Sequence, residues 1–118
     1  MAGRDPATEL IENENVRYSV MKLGPIQPTN ITFPVTGGRN LKFQVNWFKR
    51  EEMQKWLEYS QAKDAAFCFA CRCFGSLVGC SEKEWTETGY NNWKRFLEKN
   101  SGFTKHSKSR MKETNRIQ

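Results

Sequence analysis

The chain is short of histidine, a group that many catalytic and metal centres use. It has a single histidine, His106, in 118 residues, so a site needing two or more imidazoles is out of reach. No apolar run approaches the roughly 18–20 residues that span a bilayer. The N-terminal stretch "MAGRDPATELIENENVRYSV" has no apolar core of the secretory kind. These absences lead us to expect an intracellular, reducing compartment, with no membrane and no small-molecule substrate. There is no Ser/His/Asp, Cys/His or phosphate-loop constellation, so no catalysis is expected. Internal repeats and low-complexity tracts are also missing.

What remains is small, aromatic and basic. Hydrophobic residues make up 37% and charged residues 27%, enough for the core of one small domain. Four Trp and eight Phe bury much area per residue. A domain of this size is often stapled by a metal or a disulfide. The net charge of +6 is unevenly spread. Residues 1–15 set Arg4 against Asp5, Glu9, Glu12 and Glu14. Residues 91–118 set Lys94, Arg95, Lys99, Lys105, Lys108, Arg110, Lys112 and Arg116 against Glu98 and Glu113, and so carry as much net charge as the whole chain. A clustered basic segment attracts polyanions such as nucleic acid, and it equally suits a solvated helix face.

The chain divides by pattern. Residues 1–24 are polar without sustained periodicity and read as a flexible acidic tail. Next, "GPIQPTNITFPVTGG" carries Pro25, Pro28 and Pro34, which forbid a helix and favour an extended, wrapping segment. Its Ile26, Ile31, Phe33 and Val35 can pack on a core. Leu41, Phe43, Val45 and Trp47 alternate with polar residues at strand period. A short helix is expected near 47–55, capped by Asn46, with Met53, Trp56 and Leu57 on one face. Residues 56–70 read as a hairpin: Trp56 to Ser60, the turn "QAKD", then Ala65 to Ala70. A glycine-containing loop follows. Tyr90, Trp93, Phe96 and Leu97 recur at helical spacing and predict an amphipathic helix, with Trp93, Phe96 and Leu97 as core. Trp85 and Tyr90 suit either stacking or packing. A second helix is expected from Phe103 to about Thr114. The fold class is thus α+β: a small hairpin packed against C-terminal helices, with an extended proline-rich segment before it.

The chemistry concentrates in "DAAFCFACRCFG", which holds Cys68, Cys71 and Cys73. Clustered cysteines in a reducing compartment point to metal rather than disulfide. Cys68 and Cys71 have the Cys-x-x-Cys spacing of a zinc knuckle, in which a tight turn aims two thiolates at one ion. Two core cysteines in an aromatic hairpin are the plainer alternative. A redox pair is less favoured, because no βαβ pattern surrounds it. His106 is the natural third ligand, being the only histidine, although a lone histidine is most simply a surface residue.

"WLEYS", "DAAFCFACRCFG", "TETGYNNWKRFLEK" and "FTKHSKS" together resemble the TTF-type zinc finger of hAT-superfamily transposases and of host proteins derived from them. "LGPIQPTNITFP" and "FQVNWFKR" are similar to the segment preceding that finger. The resemblance covers about residues 23–113 and bounds a finger domain at 25–114, with a tail at 115–118. It implies Zn2+ held by Cys68, Cys71 and His106. It also implies a second histidine near position 112, where this chain has Lys112, and protonated lysine is no ordinary zinc ligand. Water, Glu113, Cys73 or Cys80 can complete the set. Water is favoured, then Cys73, although the family varies at that position. The resemblance further implies a nuclear, DNA-binding accessory domain whose transposase catalytic core lies outside this chain. Lys94, Arg95, Lys99, Lys105, Lys108, Arg110 and Lys112 would meet phosphates, and Arg110 is the best placed by type to read guanine. A protein-interaction module, with a partner protein or a second copy bound, and a non-functional transposon remnant are the alternatives.

Overall fold

The computed structural model describes residues 4–35, 41–51, 53–78, 83–98 and 106, leaving aside the side chains of 75–78. Its centre is an antiparallel hairpin, β1 (Leu57–Ser60) and β2 (Ala65–Cys68). The register pairs Leu57 with Cys68, Glu58 with Phe67, Tyr59 with Ala66 and Ser60 with Ala65. Asp64 closes the turn at φ 50°, a left-handed conformation that Asp tolerates better than most residues, and it accepts a hydrogen bond from the Tyr59 hydroxyl. Every residue of both strands is buried, so the hairpin is covered on both faces.

The chain also lies along both outer edges of the hairpin. On the β1 side, the Tyr59 N–H donates to the Ile26 carbonyl at 3.1 Å. The Gln27 side-chain amide donates to the carbonyls of Gln54 and Leu57 at 2.9 and 3.0 Å. On the β2 side, Ala66 and Tyr90 exchange backbone hydrogen bonds of 2.7 and 2.9 Å. Gly89 allows that approach. Its φ is +88°, and a Cβ there would collide with the Cβ of Ala65.

Side chains alternate across a strand, and the hairpin therefore separates two environments. On one face, Leu57, Tyr59, Ala66 and Cys68 join an aromatic core of Phe33, Phe43, Trp47, Phe48, Trp85, Trp93 and Phe96. Phe43 is its hub, with ring contacts of 4.8–6.1 Å to Phe33, Trp47, Phe48, Tyr59, Trp93 and Phe96. On the other face, Ser60 bonds the N-terminal segment directly, and Glu58 reaches it through Arg72.

Helix α1 (Glu14–Leu23) lies in that segment. Asn13 caps it by accepting the Val16 N–H at 3.0 Å, Glu14 and Lys22 suit its two ends, and Gly24 ends it at φ +80°. Helix α2 (Phe69–Val78) follows β2 directly. Val20 of α1 packs with Phe69 and Cys73 of α2.

Several expectations need correction. Residues 4–24 are not a tail: they form α1 and dock on the hairpin. Asp5 accepts hydrogen bonds from the Ser60 hydroxyl at 2.6 Å and the Ala62 N–H at 3.0 Å. The 41–47 alternation is an alternation of burial without strand pairing, since Phe43 and Trp47 face the core from unpaired backbone and a 3-10 helix at Val45–Lys49. That 3-10 helix and the turns after it replace the helix expected at 47–55. The second hairpin arm stops at Cys68 rather than Ala70. The Tyr90–Leu97 helix is reduced to a 3-10 turn at Trp93–Arg95, because Tyr90 is held in extended pairing with Ala66. Trp93 and Phe96 are core, whereas Leu97 is exposed. In the proline-rich segment Phe33 is buried, Ile31 packs on the core and Val35 is exposed. The helix expected at 103–114 lies outside the described residues except for His106, which is helical.

Candidate metal centre

Cys68 ends β2, and Cys71 lies in the first turn of α2. The strand-to-helix change between them turns the chain through the Cys-x-x-Cys spacing and leaves both thiols on the aromatic-core side. His106 arrives from 35 residues downstream, its Nε2 at 3.3 Å from the Cys71 Sγ. Trp85 stacks on the imidazole with ring centroids 4.8 Å apart and planes 24° from parallel, and it stacks on Tyr90 at 4.8 Å and 11°. Those stacks hold the ring edge toward the thiols. All three candidate ligands are buried, and their donor atoms lie within 4.8 Å of one another.

These donors suit a zinc ion. Tetrahedral zinc with sulfur and nitrogen ligands sets neighbouring donor atoms about 3.5–3.8 Å apart. The Cys71–His106 distance already falls near that edge length, and a modest contraction would gather the third donor. Hydrogen bonding to Cys68, then burial, pushes the Cys71 thiol well above its ordinary range, while His106 pulls it back. A cation is what would make such a thiol a ligand, since coordination replaces the proton.

Cys73 is not part of this group. Helical rotation carries it to the opposite side of α2, against Val20 and Phe69. Burial raises its thiol pKa to about 11, which marks an inert core cysteine rather than a spare ligand. Of the other options for the fourth position, Cys80 and Glu113 lie outside the described residues, as does Lys112, which stands where the second histidine is expected.

Of the residues expected to meet phosphate, Lys94 and Arg95 are exposed on the 3-10 turn at Trp93–Arg95, and Arg95 pairs with Glu98 at 3.7 Å. Lys99, Lys105, Lys108, Arg110 and Lys112 lie outside the described residues. Among the described residues, no helix is long and apolar enough to cross a membrane.

Sequence reading missed the ionic cluster beside the thiols. Arg72, between Cys71 and Cys73, presents a buried guanidinium to Glu58 of β1. Its Nε donates to Glu58 Oε1 and its Nη2 to Oε2, both at 2.7 Å. Nη2 also donates to Glu9 Oε1 at 3.1 Å, and Glu9 accepts from Arg4 Nε at 2.6 Å. Burial pushes the Glu58 carboxyl above the usual range, with Arg72 and the Ile26 N–H pulling against it. Burial also opposes charge on Arg72, but its bonds to Glu58 and Glu9 keep it firmly protonated. The one signal in the sequence is Glu58 itself, a carboxylate set between Leu57 and Tyr59 in a predicted hairpin arm.

No family model and no solved structure matches the chain. It is similar to zinc finger MYM-type protein 5 of Macaca fascicularis, with 31% identity over 121 residues. The match covers 96% of this chain and 17% of that protein, so the chain spans less than a fifth of the relative's length. That similarity and the Cys68–Cys71–His106 cluster support a zinc-finger-like module with a site suited to a metal ion, zinc by its donors.

Proposed function

We propose that the chain is a zinc-binding module of the TTF type that serves a nuclear, transposase-derived protein as a DNA-binding accessory domain. The observation that carries this reading is the convergence of Cys68, Cys71 and His106 in a buried cluster, with Trp85 stacked on the imidazole. Zinc there has a structural role: it would lock the knuckle to the downstream chain. Water would complete its coordination, and the module is expected to perform no reaction of its own. The basic excess of residues 91–118, with Lys94 and Arg95 exposed at its start, supports a polyanionic partner.

Two measurements test the proposal. Metal analysis of the purified chain should find one zinc per chain, and Cys68→Ser should lose it; equal metal in both would remove Cys68 from the ligand set. Duplex DNA binding is then compared at two salt concentrations, with and without a chelator. Affinity should fall steeply with salt, each phosphate contact adding about 0.9 to the logarithmic slope, and the chelator should abolish binding. Binding that ignores the chelator would belong to a charged segment, not to a folded finger.

A protein-docking role is the second reading. Its support is the exposure of Tyr18, Met21 and Leu23 on α1, apolar residues left outside the packing that Val16 and Val20 make with α2. It predicts negligible duplex affinity even at low salt.

A further inference from the structure

The Arg72 cluster is more elaborate than the packing of a short helix requires. Glu58 has no exposed surface and the Arg72 side chain almost none. Burying such a pair contributes little net stability compared with apolar residues of the same size. What the pair does supply is geometry. A guanidinium fork on a carboxylate fixes distance and plane together, which a single ammonium contact cannot do.

The placement of the fork bears on the metal ligands. Glu58 is one residue from Leu57, the cross-strand partner of Cys68. Arg72 is one residue from Cys71, about 100° further around the helix. Holding Arg72 on one face of the hairpin therefore directs Cys71 toward the other, where Cys68 and His106 wait. The Ile26 N–H donates to Glu58 Oε2 at 3.0 Å and fixes the carboxylate, while Glu9 closes the outer side of the guanidinium. Glu9 stands 63 residues before Arg72 in sequence, so the N-terminal segment reaches the rim of the metal centre through this contact.

We propose that Arg72 is a positioning residue for the metal centre, its fork to Glu58 setting the rotation of α2 that brings Cys71 to the ion, with Glu9 as the N-terminal segment's hold on that fork. This rests on the metal reading above. The test compares zinc affinity, by competition with a chromophoric chelator, and the Co2+ absorption spectrum across full-length variants. Arg72→Lys keeps the charge and loses the fork. It should weaken zinc binding about tenfold, the lower end of the loss expected when a ligand's support is removed. The Co2+ bands diagnostic of tetrahedral sulfur ligation should also weaken, while near-ultraviolet dichroism reports an intact aromatic core. Glu9→Gln should weaken binding by about threefold, and Lys63→Ala, at the exposed hairpin turn, should change nothing. A folded Arg72→Lys protein with unchanged affinity and spectrum overturns the proposal. If Arg72→Lys does not fold, Glu58→Gln, which preserves shape and loses the charge, carries the same expectation and the same refutation. A wild-type chain that binds no zinc defeats the metal reading itself, an outcome distinct from wild-type binding that the variants leave untouched.

Discussion

The two faces of the hairpin bury the same short strands by opposite means. On one face Tyr59 and Leu57 enter a set of interlocked aromatic rings, with the thiols of Cys68 and Cys71 among them. On the other, Glu58 and Ser60 are equally buried but are held by ions and hydrogen bonds to Arg72 and Asp5. One residue of offset separates the two chemistries, because a strand alternates its faces. The aromatic face gains its free energy from apolar area and tolerates many partners, whereas the ionic face gains little net energy and accepts one arrangement.

The sharpest challenge to that contrast sets two nearby cysteines against each other. Cys71→Ser should strip the chain of most bound zinc and of a cooperative thermal transition, since structural zinc binds with an apparent ~10–16 kcal/mol. Cys73→Ser should keep wild-type metal content and lose about 1–2 kcal/mol for a buried hydroxyl. Metal analysis and a melting curve on each decide it. Next, Phe43→Ala and Glu58→Ala compare the faces directly in denaturant titrations. Loss of the Phe43 hub should cost about 3–5 kcal/mol. Loss of Glu58 should cost a similar ~3–5 kcal/mol, by leaving Arg72 short of its main counter-charge. A Glu58→Ala protein with wild-type stability would mean the ionic face is incidental. Gly89→Ala should cost roughly 2–3 kcal/mol, from the contact with Ala65 and the left-handed backbone together, and near-neutral thermal stability would refute the close approach of Tyr90 to β2.

Acid should separate the faces more gently. Burial opposes charge on Glu9, but Arg4 and Arg72 outweigh it and hold its carboxyl below the ordinary 4.5. A depressed carboxylate stabilises fully above its ordinary pKa, and that support is lost as pH falls through the lowered value. Below the ordinary carboxylate range the amides of the N-terminal segment should therefore lose exchange protection before those of β1 and β2. Simultaneous loss would argue against a separately attached segment. Smallest of all, Asn13→Ala should cost about 1 kcal/mol by removing the α1 cap. Hydrogen exchange should register it in α1 alone.

Legibility in the sequence divides along the same line. The hairpin can be read because the "QAKD" turn between two apolar arms is a local signal, whereas the period-two pattern at 41–47 marks burial without a strand. Cys68, Cys71 and His106 stand out by spacing and by the scarcity of histidine, and the structure gathers those three. Helix α2 is harder to see. Phe and Cys are indifferent helix formers, and a run beginning "FACRCF" looks as much like strand. The helical spacing of Tyr90, Trp93 and Phe96 misleads for a different reason: these side chains do face the core, but from a bridge and a single 3-10 turn. Attachment of the N-terminal segment is invisible, since its determinants are polar residues 55 to 63 positions from their partners. No periodicity encodes a contact of that kind, although the cap at Asn13 and the stop at Gly24 are there to be read.

The backbone bonds from Tyr59 to Ile26 and between Ala66 and Tyr90 have a consequence for how the chain behaves in company. A lone two-stranded hairpin is barely stable and offers two open borders to any other extended chain. Here the strand borders at Tyr59 and Ala66 are occupied by neighbouring segments of the same molecule. Clipping the chain after residue 27, or displacing Tyr90, would reopen a border of the strand pair that holds Leu57, Tyr59, Ala66 and Phe67. The fold would then turn from a self-contained module into a seed for strand-mediated aggregation.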